Sequence, residues 1–551
     1  MTRTIGIIAP LLDKRQFNMD FSLRLARNGR ELSLATFYDW ANEGFDAARI
    51  SRGIDYSEEH PAAGFYLEGL LHQHGYDTLH TNRFDDEALE AMAIRDPFAV
   101  CISTTMIITA DSLLELFSSV RRAMPDTFII AGGVFLWKNH LQYVKHLGAP
   151  NIYPLEHWML FHPERACMSA DVLIIAPHGR QSLLEVLKEL EKGRRASLEH
   201  IPNLALPRRD SFFFTDRVEE EVDYNKDFTR WDLVNEMPEK IPLRTSIGCP
   251  YRCRFCDFCQ LYPSMFLRSR ESLSEELELI KRGLGHNVGI IHVSDDNVFI
   301  NKKRVHEVCG AITDSGLTHW IGFMRGGEYT DEEMEAMVRS GLMLGMIGVE
   351  SGDPGQLKRM NKHQQIGQVK RGIEQLDARG ISVLMTFVVG FPGETKETLR
   401  NTSDFLNSLE LANLSVNYQL YPLLVFPLSE LAGPEARKEW KIEGFVDKWS
   451  HYTMNSEEAP GAGYDLFKSV TNLPYAYSEE SHFFNRSMFT FAERRALYQL
   501  RHRLTIKLVE KAPWTELEPI LKDMTVIMDL SPDGIGPHLG QELLLPGLYS
   551  K

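Results

Sequence analysis

The chain has 551 residues, enough for about three domains of ordinary size. Hydrophobic residues make up 43% and charged residues 25%, which excludes extended disorder, collagen-like repeats and disulfide-rich miniproteins. The net charge of −16 argues against unselective binding to nucleic acid or an anionic membrane. Because of this charge, we expect a small-molecule or peptide substrate. The sequence has no run of about 18 apolar residues and no secretory signal pattern, so we expect a cytoplasmic protein.

Residues 1–200 alternate short apolar strands with helical periods. The strands are predicted near 4–9, 78–80, 98–103, 127–131 and 172–176, and the helices near 65–74, 112–124 and 181–192. Strands that are apolar on both faces and separated by helices are typical of a parallel sheet covered on both sides. The pattern predicts an α/β, doubly wound, Rossmann-like domain. Residues 201–240, rich in proline and charge, are predicted to be an extended linker.

Residues 241–426 repeat a strand–helix unit six times. Strands are predicted at 243–247, 289–293, 320–323, 343–349, 383–389 and 414–420, and helices at 271–284, 302–314, 331–339, 354–379 and 396–411. Six parallel units predict a partial (β/α)6 barrel, whose reactive groups should follow the carboxyl ends of the strands. Residues 427–551, with an aromatic stretch at 440–452 and a long helix at 491–510, are predicted to form a mostly helical cap domain.

Four cysteines lie within eleven positions after the first barrel strand. Cys249, Cys253 and Cys256 stand on a loop bent by glycine and proline, where three thiolates can bind three irons of a cubane cluster. The fourth iron would then be open to another ligand. A closed zinc site with Cys259 as fourth ligand is the alternative, although zinc ligands usually come as two separated pairs.

The spacing Cys-x₃-Cys-x₂-Cys, with Phe255 before the last cysteine, resembles the signature of the radical S-adenosylmethionine (SAM) superfamily. In that family the three cysteines hold a 4Fe–4S cluster, SAM chelates the open iron, and one-electron reduction cleaves SAM to a 5′-deoxyadenosyl radical. The resemblance assigns the ligand role to Cys249, Cys253 and Cys256. It leaves Cys259 as a spectator, since a free cysteine packs as a small hydrophobe.

The segments that follow the other barrel strands are also similar to radical SAM segments. Arg325 could pair with the SAM carboxylate as a planar fork, and a bent turn at 390–393 could let the backbone approach the adenine. Each segment has an ordinary structural explanation as a cap or a turn when taken alone. The resemblance implies that SAM is bound by Phe255, Asp295, Asp296, Arg325, Glu350, Ser351, Gly390 and Gly393.

A doubly wound domain placed before such a barrel resembles the subclass of radical SAM enzymes that binds cobalamin. Small residues at the carboxyl edge of a sheet suit a buried nucleotide tail. The implied cobalamin contacts are Ser103, Thr104, Thr105, Gly132, Gly133 and Gly179. The chain has no Asp-x-His-x-x-Gly motif, so cobalamin would be bound base-off without a histidine ligand. A plain Rossmann-like domain, empty of cobalamin, remains the alternative.

The resemblance implies a methyltransferase that acts on an unactivated carbon or a phosphinate. SAM would methylate the cobalamin and separately generate the radical that removes a substrate hydrogen, with electrons from a reductant such as flavodoxin or ferredoxin. The alternatives are a radical cyclase, ring-contraction or rearrangement enzyme, and a non-enzymatic zinc-binding module. In the predicted cap, His451 and Tyr452 are the candidates for substrate contact; His451 could accept a proton or simply pack in an aromatic cluster.

Overall fold

The structure, a computed structural model, describes residues 3–10, 19, 24–27, 30–32, 61–146, 156–193, 198–287, 289–476, 491–527 and 543–544. Two sheets dominate it: a seven-stranded sheet with five parallel strands and two antiparallel ones, and a six-stranded parallel sheet. Three short strands, Arg24–Arg27, Arg30–Leu32 and Leu543–Leu544, form a small separate sheet. Among the described helices, none combines the length and apolarity that a membrane crossing requires.

The first sheet is doubly wound, as the sequence predicts. In spatial order its parallel strands are Asp77–Thr81, Thr4–Ile8, Ala99–Ser103, Phe128–Gly132 and Val172–Ile174. Two buried apolar clusters cover its two faces, one around Leu113 and the other around Leu187. The order 2-1-3-4-5 puts the topological switch point between the first strand and Ala99–Ser103, which is where such sheets bind ligands.

Within the described residues, five helices connect and flank this sheet. Two of them begin at side-chain caps, because Asp85 and Thr109 accept hydrogen bonds from backbone N–H groups of the first turn. The five helices are Ala62–Gln73, Asp86–Ala93, Ala110–Ala123, Val134–His146 and Arg180–Glu191, and a 3₁₀ helix covers Pro163–Met168. The helices Asp86–Ala93 and Val134–His146 are additional to the predicted elements.

The linker prediction for residues 201–240 is wrong in its first third. Strands Leu204–Pro207 and Phe212–Phe214 extend the first sheet by two antiparallel strands beyond Val172–Ile174. The cause is the apolar hairpin itself: Leu204 and Ala205 are fully buried, so they belong to the core despite the flanking prolines and charges. From residue 215 onward the connector has no helix or strand until Lys240, apart from a turn at 224–226 and the 3₁₀ turn Trp231–Leu233.

The second sheet is the predicted partial barrel. Its six strands follow chain order as Lys240–Leu243, Ile290–Val293, Trp320–Arg325, Leu342–Glu350, Ser382–Val389 and Val416–Pro422, all parallel. Between them run the helices Arg270–Leu284, Lys302–Ser315, Asp331–Arg339, Pro354–Arg359, Ile366–Ala378 and Lys396–Asn407. One continuous apolar core joins these helices, except Pro354–Arg359, to the sheet.

Two predicted barrel elements differ from the structure. The first strand ends at Leu243, because the N–H of Thr245, two residues later, donates to Asp295 Oδ1 at 2.6 Å. Ser246–Ile247 instead pairs antiparallel with Phe266–Leu267. The helix predicted over 354–379 is two helices. Between them Asn361 and His363 have positive φ values of 56° and 50°, which an α-helix does not tolerate.

The carboxyl-terminal region is mostly helical. Its helices are Pro434–Trp440, Ala459–Ser469, Phe491–Val509 and Trp514–Ile527, preceded by the 3₁₀ turn Glu430–Ala432 and joined by a hairpin of Glu443–Phe445 and Lys448–Ser450. Part of this region closes the open edge of the barrel. Tyr475 forms a β-bridge with Tyr418 of the last strand, and both are buried in the barrel core.

Candidate functional site

One cavity of about 900 Å³ lies where the two sheets face each other. Its walls are the carboxyl edge of the first sheet, the carboxyl ends of the barrel strands and the connector between the domains. Parallel strands present their following loops at this edge, so residues far apart in sequence meet here.

The cysteine loop forms one wall of the cavity. Cys249, Cys253 and Cys256 all line it and are half-buried. Gly248 begins the loop with φ of +85°, where a Cβ atom would lie 3.0 Å from the Ser264 carbonyl oxygen, so the turn requires glycine. Burial raises the pKa of Cys249, and it raises that of Cys256 to about 12. Metal binding at this loop would therefore release protons, since the ligand is the thiolate.

Cys259 also reaches the cavity, although its side chain is largely buried. Its Sγ lies 3.9 Å from the carbonyl oxygen of Cys256. Within the described residues, no group of three or more His, Cys, Asp or Glu side chains is arranged to hold a single metal ion. The spectator role of Cys259 stays a prediction.

Asp295 and Asp296 follow the second barrel strand and line the cavity with different surroundings. The Asp295 carboxylate accepts hydrogen bonds from the Thr245 N–H, the Thr245 hydroxyl and the Ser246 hydroxyl at 2.5 to 2.6 Å. It therefore anchors the segment that leads into the cysteine loop. The Oδ2 atom of Asp296 is buried with no hydrogen-bond partner among the described residues. Burial raises the pKa of Asp296, and the nearby Arg244 guanidinium lowers it in part.

Arg325 and Asn297 also have buried polar atoms with no hydrogen-bond partner among the described residues. The Arg325 guanidinium lies over the ring of Tyr251, 3.7 Å from its centroid, and so stands beside the cysteine loop. Its Nη2 atom and both side-chain amide atoms of Asn297 are buried and lack partners in the described part of the chain. Both residues line the cavity. Buried polar atoms of this kind are normally satisfied by a ligand or by water. Asn297 was missed as a site residue, although it directly follows the Asp-Asp pair.

Glu350 ends the fourth barrel strand in a strained conformation. Its φ is +70°, and the ladder to the next strand shifts register between Gly348 and Glu350. The Lys362 Nζ atom donates to Glu350 Oε1 at 2.7 Å, and both side chains line the cavity. Residues other than glycine seldom adopt positive φ, and those that do are concentrated at functional sites. Lys362 was missed because it falls within the region predicted as one long helix.

Three predicted SAM residues do not line the cavity. The Ser351 hydroxyl accepts the Asp353 N–H at 3.1 Å, next to a helix cap. Gly390 has φ of +94°; its N–H donates to the buried Glu394 carboxylate, and its carbonyl lies 2.7 Å from His451 Nε2. The Gly393 N–H donates to the Thr453 hydroxyl at 3.1 Å. The turn that contains both glycines is thus fixed by hydrogen bonds to Glu394 and to two residues of the carboxyl-terminal region, His451 and Thr453.

The first domain supplies the opposite wall of the cavity. Five of the six residues predicted for cobalamin line it: Ser103, Thr105, Gly132, Gly133 and Gly179. Thr104 does not, because it is fully buried and both its N–H and its hydroxyl donate to the Gly132 carbonyl. Gly133 has φ of +122°, and a Cβ there would lie 3.1 Å from the Thr104 nitrogen. The close approach of these two loops depends on that glycine.

The connector completes the wall with residues that the sequence did not indicate. The Tyr224 hydroxyl lies 2.6 Å from His178 Nε2, and the Tyr66 hydroxyl donates to Asp227 at 2.9 Å. Arg180 donates to the same carboxylate at 2.9 Å. Tyr66, His178, Tyr224 and Asp227 all line the cavity. No sequence motif signals this group, since its members come from three separate segments.

The cysteine loop and the barrel strands after it match a known protein family. Residues 243–406 match the sequence model of the Radical SAM superfamily. The chain carries a radical SAM domain. The match includes the three cysteines and the second to fifth barrel strands, which favours a cluster over the zinc alternative.

Known proteins extend this likeness beyond the radical SAM domain. The chain is 24% identical over 366 residues to the anaerobic magnesium-protoporphyrin IX monomethyl ester cyclase of Rubrivivax gelatinosus. The aligned region covers 62% of this chain and 61% of the cyclase. The chain thus spans less than two thirds of that relative. Among solved structures, this chain resembles TsrM from Kitasatospora setae, a radical SAM methyltransferase with cobalamin and a 4Fe–4S cluster bound. The sequence identity is 16% and the TM-score is 0.51, and the match covers 80% of this chain and 75% of TsrM.

A second structure, OxsB with aqua-cobalamin and SAM bound, is described as a cobalamin-dependent SAM radical enzyme. It matches with TM-score 0.56 and 13% identity, covering 98% of this chain and 78% of OxsB. At these identities the likeness concerns the fold. It confirms the predicted order of a doubly wound domain, a partial radical SAM barrel and a helical carboxyl-terminal region.

Neither candidate from the carboxyl-terminal region lines the cavity of the radical SAM domain. His451 stacks on Trp449 with ring centroids 5.0 Å apart, and its Nε2 atom meets the Gly390 carbonyl. Its Nδ1 atom accepts from the Thr453 and Met454 N–H groups at 3.3 Å, so both ring nitrogens are engaged. Burial lowers the pKa of His451. Tyr452 is half exposed beside it. This geometry fits the packing alternative better than proton transfer.

The residues present fit the cofactors that the family implies. Three thiols of one loop share a cavity that continues past them to unpaired polar atoms of Asp296, Asn297 and Arg325, as a cluster with an open iron and a zwitterionic ligand requires. Across the cavity, small residues leave room at the sheet edge for a bulky group. His178, the one histidine on that wall, bonds to Tyr224 through Nε2.

Proposed function

We propose that this protein is a cobalamin-dependent radical SAM methyltransferase that acts on an unactivated carbon or a phosphinate of a small-molecule or peptide substrate. One observation carries the proposal: the three cysteines and the carboxyl edge of the first sheet line the same cavity of about 900 Å³. A radical enzyme that uses two cofactors in one reaction needs both beside the substrate, and binding sites on separate surfaces would not serve.

The cysteine-loop side of the cavity would hold the cluster and SAM. Cys249, Cys253 and Cys256 are the proposed ligands. Arg325, fixed over Tyr251, is placed to pair with a carboxylate, and Glu350, fixed by Lys362, is placed to accept from an amine or a ribose hydroxyl. Asp295 and Ser351 support this side indirectly, since their side chains already bond to neighbouring loops.

The first-domain side would hold the cobalamin. The Thr105 hydroxyl, which accepts from the Ser103 hydroxyl at 3.2 Å, can donate to a ligand, while Gly132, Gly133 and Gly179 leave the space that a macrocycle with a nucleotide tail needs. We propose that the cobalamin is bound base-off without a histidine ligand, because His178 is occupied by Tyr224. When bound, the cofactors would supply a hydrogen-abstracting radical and a transferable methyl group, with electrons from a flavodoxin or ferredoxin.

The chain's own task is then orientation and exclusion of water, since a primary carbon radical reacts with almost any nearby C–H bond. Apolar residues of both domains contribute to this, among them Met106, Ile108, Phe323 and Phe426 at the cavity wall. The carboxyl-terminal region contributes indirectly by fixing the Gly390–Gly393 turn.

A radical cyclase or rearrangement enzyme is the second candidate. The observation that favours it is the 24% identity to the magnesium-protoporphyrin cyclase over 366 residues, which extends beyond the radical SAM domain. Methyl transfer converts SAM to S-adenosylhomocysteine, whereas a cyclase would form 5′-deoxyadenosine without it. The two products therefore separate the candidates.

The test is anaerobic reconstitution of the full chain with iron, sulfide and hydroxocobalamin, followed by visible spectroscopy and by analysis of SAM products under reducing conditions. We expect absorbance from both chromophores to survive gel filtration, with 5′-deoxyadenosine and S-adenosylhomocysteine formed together. Retention of the cluster with 5′-deoxyadenosine alone would favour the cyclase. A colourless protein that retains zinc would refute both.

A further inference from the structure

One helix of the first domain reaches from the cavity wall to the cysteine loop. The helix Val134–His146 begins directly after the Gly132–Gly133 turn. One turn later Lys138 enters the cavity, and two turns later Gln142 Nε2 donates to the Pro427 carbonyl at 2.6 Å, just beyond the last barrel strand. We call it the bridging helix. It connects the proposed cobalamin wall directly to the radical SAM domain.

At the middle of the bridging helix, Lys138 forms an ion pair with Asp257. The Lys138 Nζ atom lies 2.9 Å from Asp257 Oδ2, with side-chain exposures of 22% and 3%. The rings of Phe258, in the cysteine loop, and Phe426, beyond the last barrel strand, both lie 5.2 Å from the ammonium group. A carboxylate as buried as Asp257 is costly unless a cation compensates it.

The position of Asp257 gives this ion pair its significance. Asp257 directly follows Cys256, in the loop that carries all three proposed cluster ligands. The reduction potential of an iron–sulfur cluster depends on the charges around it, and a nearby negative charge opposes the addition of an electron. Lys138, a residue of the first domain, therefore decides whether the negative charge beside Cys256 is compensated.

We propose that Lys138 is a positioning and charge-compensating residue for the cluster: by neutralising Asp257 it makes the proposed cluster easier to reduce and ties the cysteine loop to the first domain. The inference rests on the proposed function. One electron from a low-potential donor takes the cluster from a charge of 2+ to 1+, with no other bond made or broken. Lys138 favours that step because it offsets the adjacent carboxylate, and the bridging helix holds it in place.

The experiment measures the midpoint potential of the reconstituted full chain, followed by electron paramagnetic resonance during titration with dithionite. Lys138→Met should lower the equilibrium constant for cluster reduction about tenfold. For a one-electron couple, this lowers the midpoint potential by about 59 mV. Asp257→Asn should shift it in the opposite direction, and the Lys138→Met/Asp257→Asn double variant should return close to the wild-type value. Lys138→Arg retains the charge and should also stay close to wild type.

Lys145→Met is the matched control, since Lys145 is an exposed lysine of the same helix. It should leave the potential unchanged. An unaltered midpoint in Lys138→Met at full cluster content overturns the inference. If Lys138→Met loses its iron, recovery of iron in the double variant supports the inference and continued loss overturns it. A wild-type chain that forms no 4Fe–4S cluster overturns the proposed function instead.

Discussion

Lys362 Nζ lies 2.7 Å from Glu350 Oε1, and this contact holds a glutamate whose backbone φ is +70° at the mouth of the barrel. The strain at Glu350 costs about 1–3 kcal/mol, so the surrounding structure must impose it. Lys362 comes from the break between two helices, where Asn361 and His363 also have positive φ. The irregular backbone on both sides of the ion pair thus places one carboxylate in the cavity.

Replacement of Lys362 by methionine should weaken SAM binding. The Glu350 carboxylate would lose its buried partner, which costs about 3 kcal/mol in the free energy of unfolding and frees the side chain to leave its present position. We expect the dissociation constant for SAM to rise at least tenfold, about 1.4 kcal/mol, in equilibrium dialysis of the reconstituted protein. Lys362→Arg, which keeps the charge, should retain most of the affinity. Equal affinity in Lys362→Met and wild type would contradict the role of the pair.

Replacement of Cys253 by alanine should abolish 5′-deoxyadenosine formation. Two thiolates cannot retain a cubane that needs three protein ligands. Iron content should fall sharply, while retained hydroxocobalamin, measured by its visible absorbance, should change little because the first-domain wall is intact. Cys309→Ala, at a buried cysteine far from the loop in sequence, is the control and should retain its iron. Unchanged SAM cleavage in Cys253→Ala would contradict the cluster assignment.

Replacement of Gly133 by alanine should reduce cobalamin retention. The added Cβ would meet the Thr104 nitrogen at 3.1 Å in a backbone conformation, φ of +122°, that alanine rarely adopts. The two loops must then separate at the edge of the first sheet. We expect at least a tenfold weaker affinity for hydroxocobalamin by spectrophotometric titration, with iron content near wild type.

Gly193→Ala provides the control for that substitution. Gly193 also has positive φ, +73°, but a Cβ there meets nothing within 4 Å, so both variants place alanine at positive φ and only Gly133→Ala adds a contact at the cavity wall. Similar losses of cobalamin affinity in both variants would show that general destabilisation, and not the cavity wall, is responsible.

Replacement of Glu394 by glutamine should remove a pH dependence of stability. Burial raises the pKa of Glu394 from 4.5 to about 8, so the folded protein favours the protonated carboxyl. The stability that this group contributes is complete below about pH 4.5, declines as the pH rises, and is lost above about pH 8. Glu394→Gln should therefore unfold at a higher temperature than wild type at pH 8.5.

The comparison at low pH completes that test. At pH 5, where wild-type Glu394 is mostly protonated in the folded state, the melting temperatures of the two proteins should approach each other. Differential scanning calorimetry at both values provides the measurement. A gap that is as large at pH 5 as at pH 8.5 would mean that the titration of Glu394 is not responsible.

Much of the fold could be predicted because its signals are local. Apolar strands at regular spacing predicted five strands of the first sheet and six of the barrel, and the structure has them in the same order. The errors occurred where tertiary contacts override local composition. Leu204–Pro207 joins the first sheet although prolines surround it, and the first barrel strand ends early because Asp295, about 50 residues away, captures the Thr245 N–H.

Site prediction divides in the same way. The residues that a motif carries, such as the three cysteines, Asp296, Arg325 and Glu350, all line the cavity, whereas Ser351, Gly390 and Gly393 follow the right strands but bond to neighbouring loops. Asn297 was missed although it adjoins the Asp-Asp pair. Lys362, Tyr224 and Asp227 were missed because their roles depend on which segments meet across the cavity, and no local pattern encodes that.

The sequence by itself determined the radical SAM signature of this protein, because ligand spacing on a single loop is a local property: three thiols at a characteristic separation, followed by polar side chains at the strand ends. Only the tertiary structure decided which groups share a space. Packing brings the bridging helix to the cysteine loop and the connector to the edge of the first sheet, and it turns His451 away to support the Gly390 turn. Contacts of this kind depend on shape and burial summed over distant segments, and they become visible only when the chain is folded.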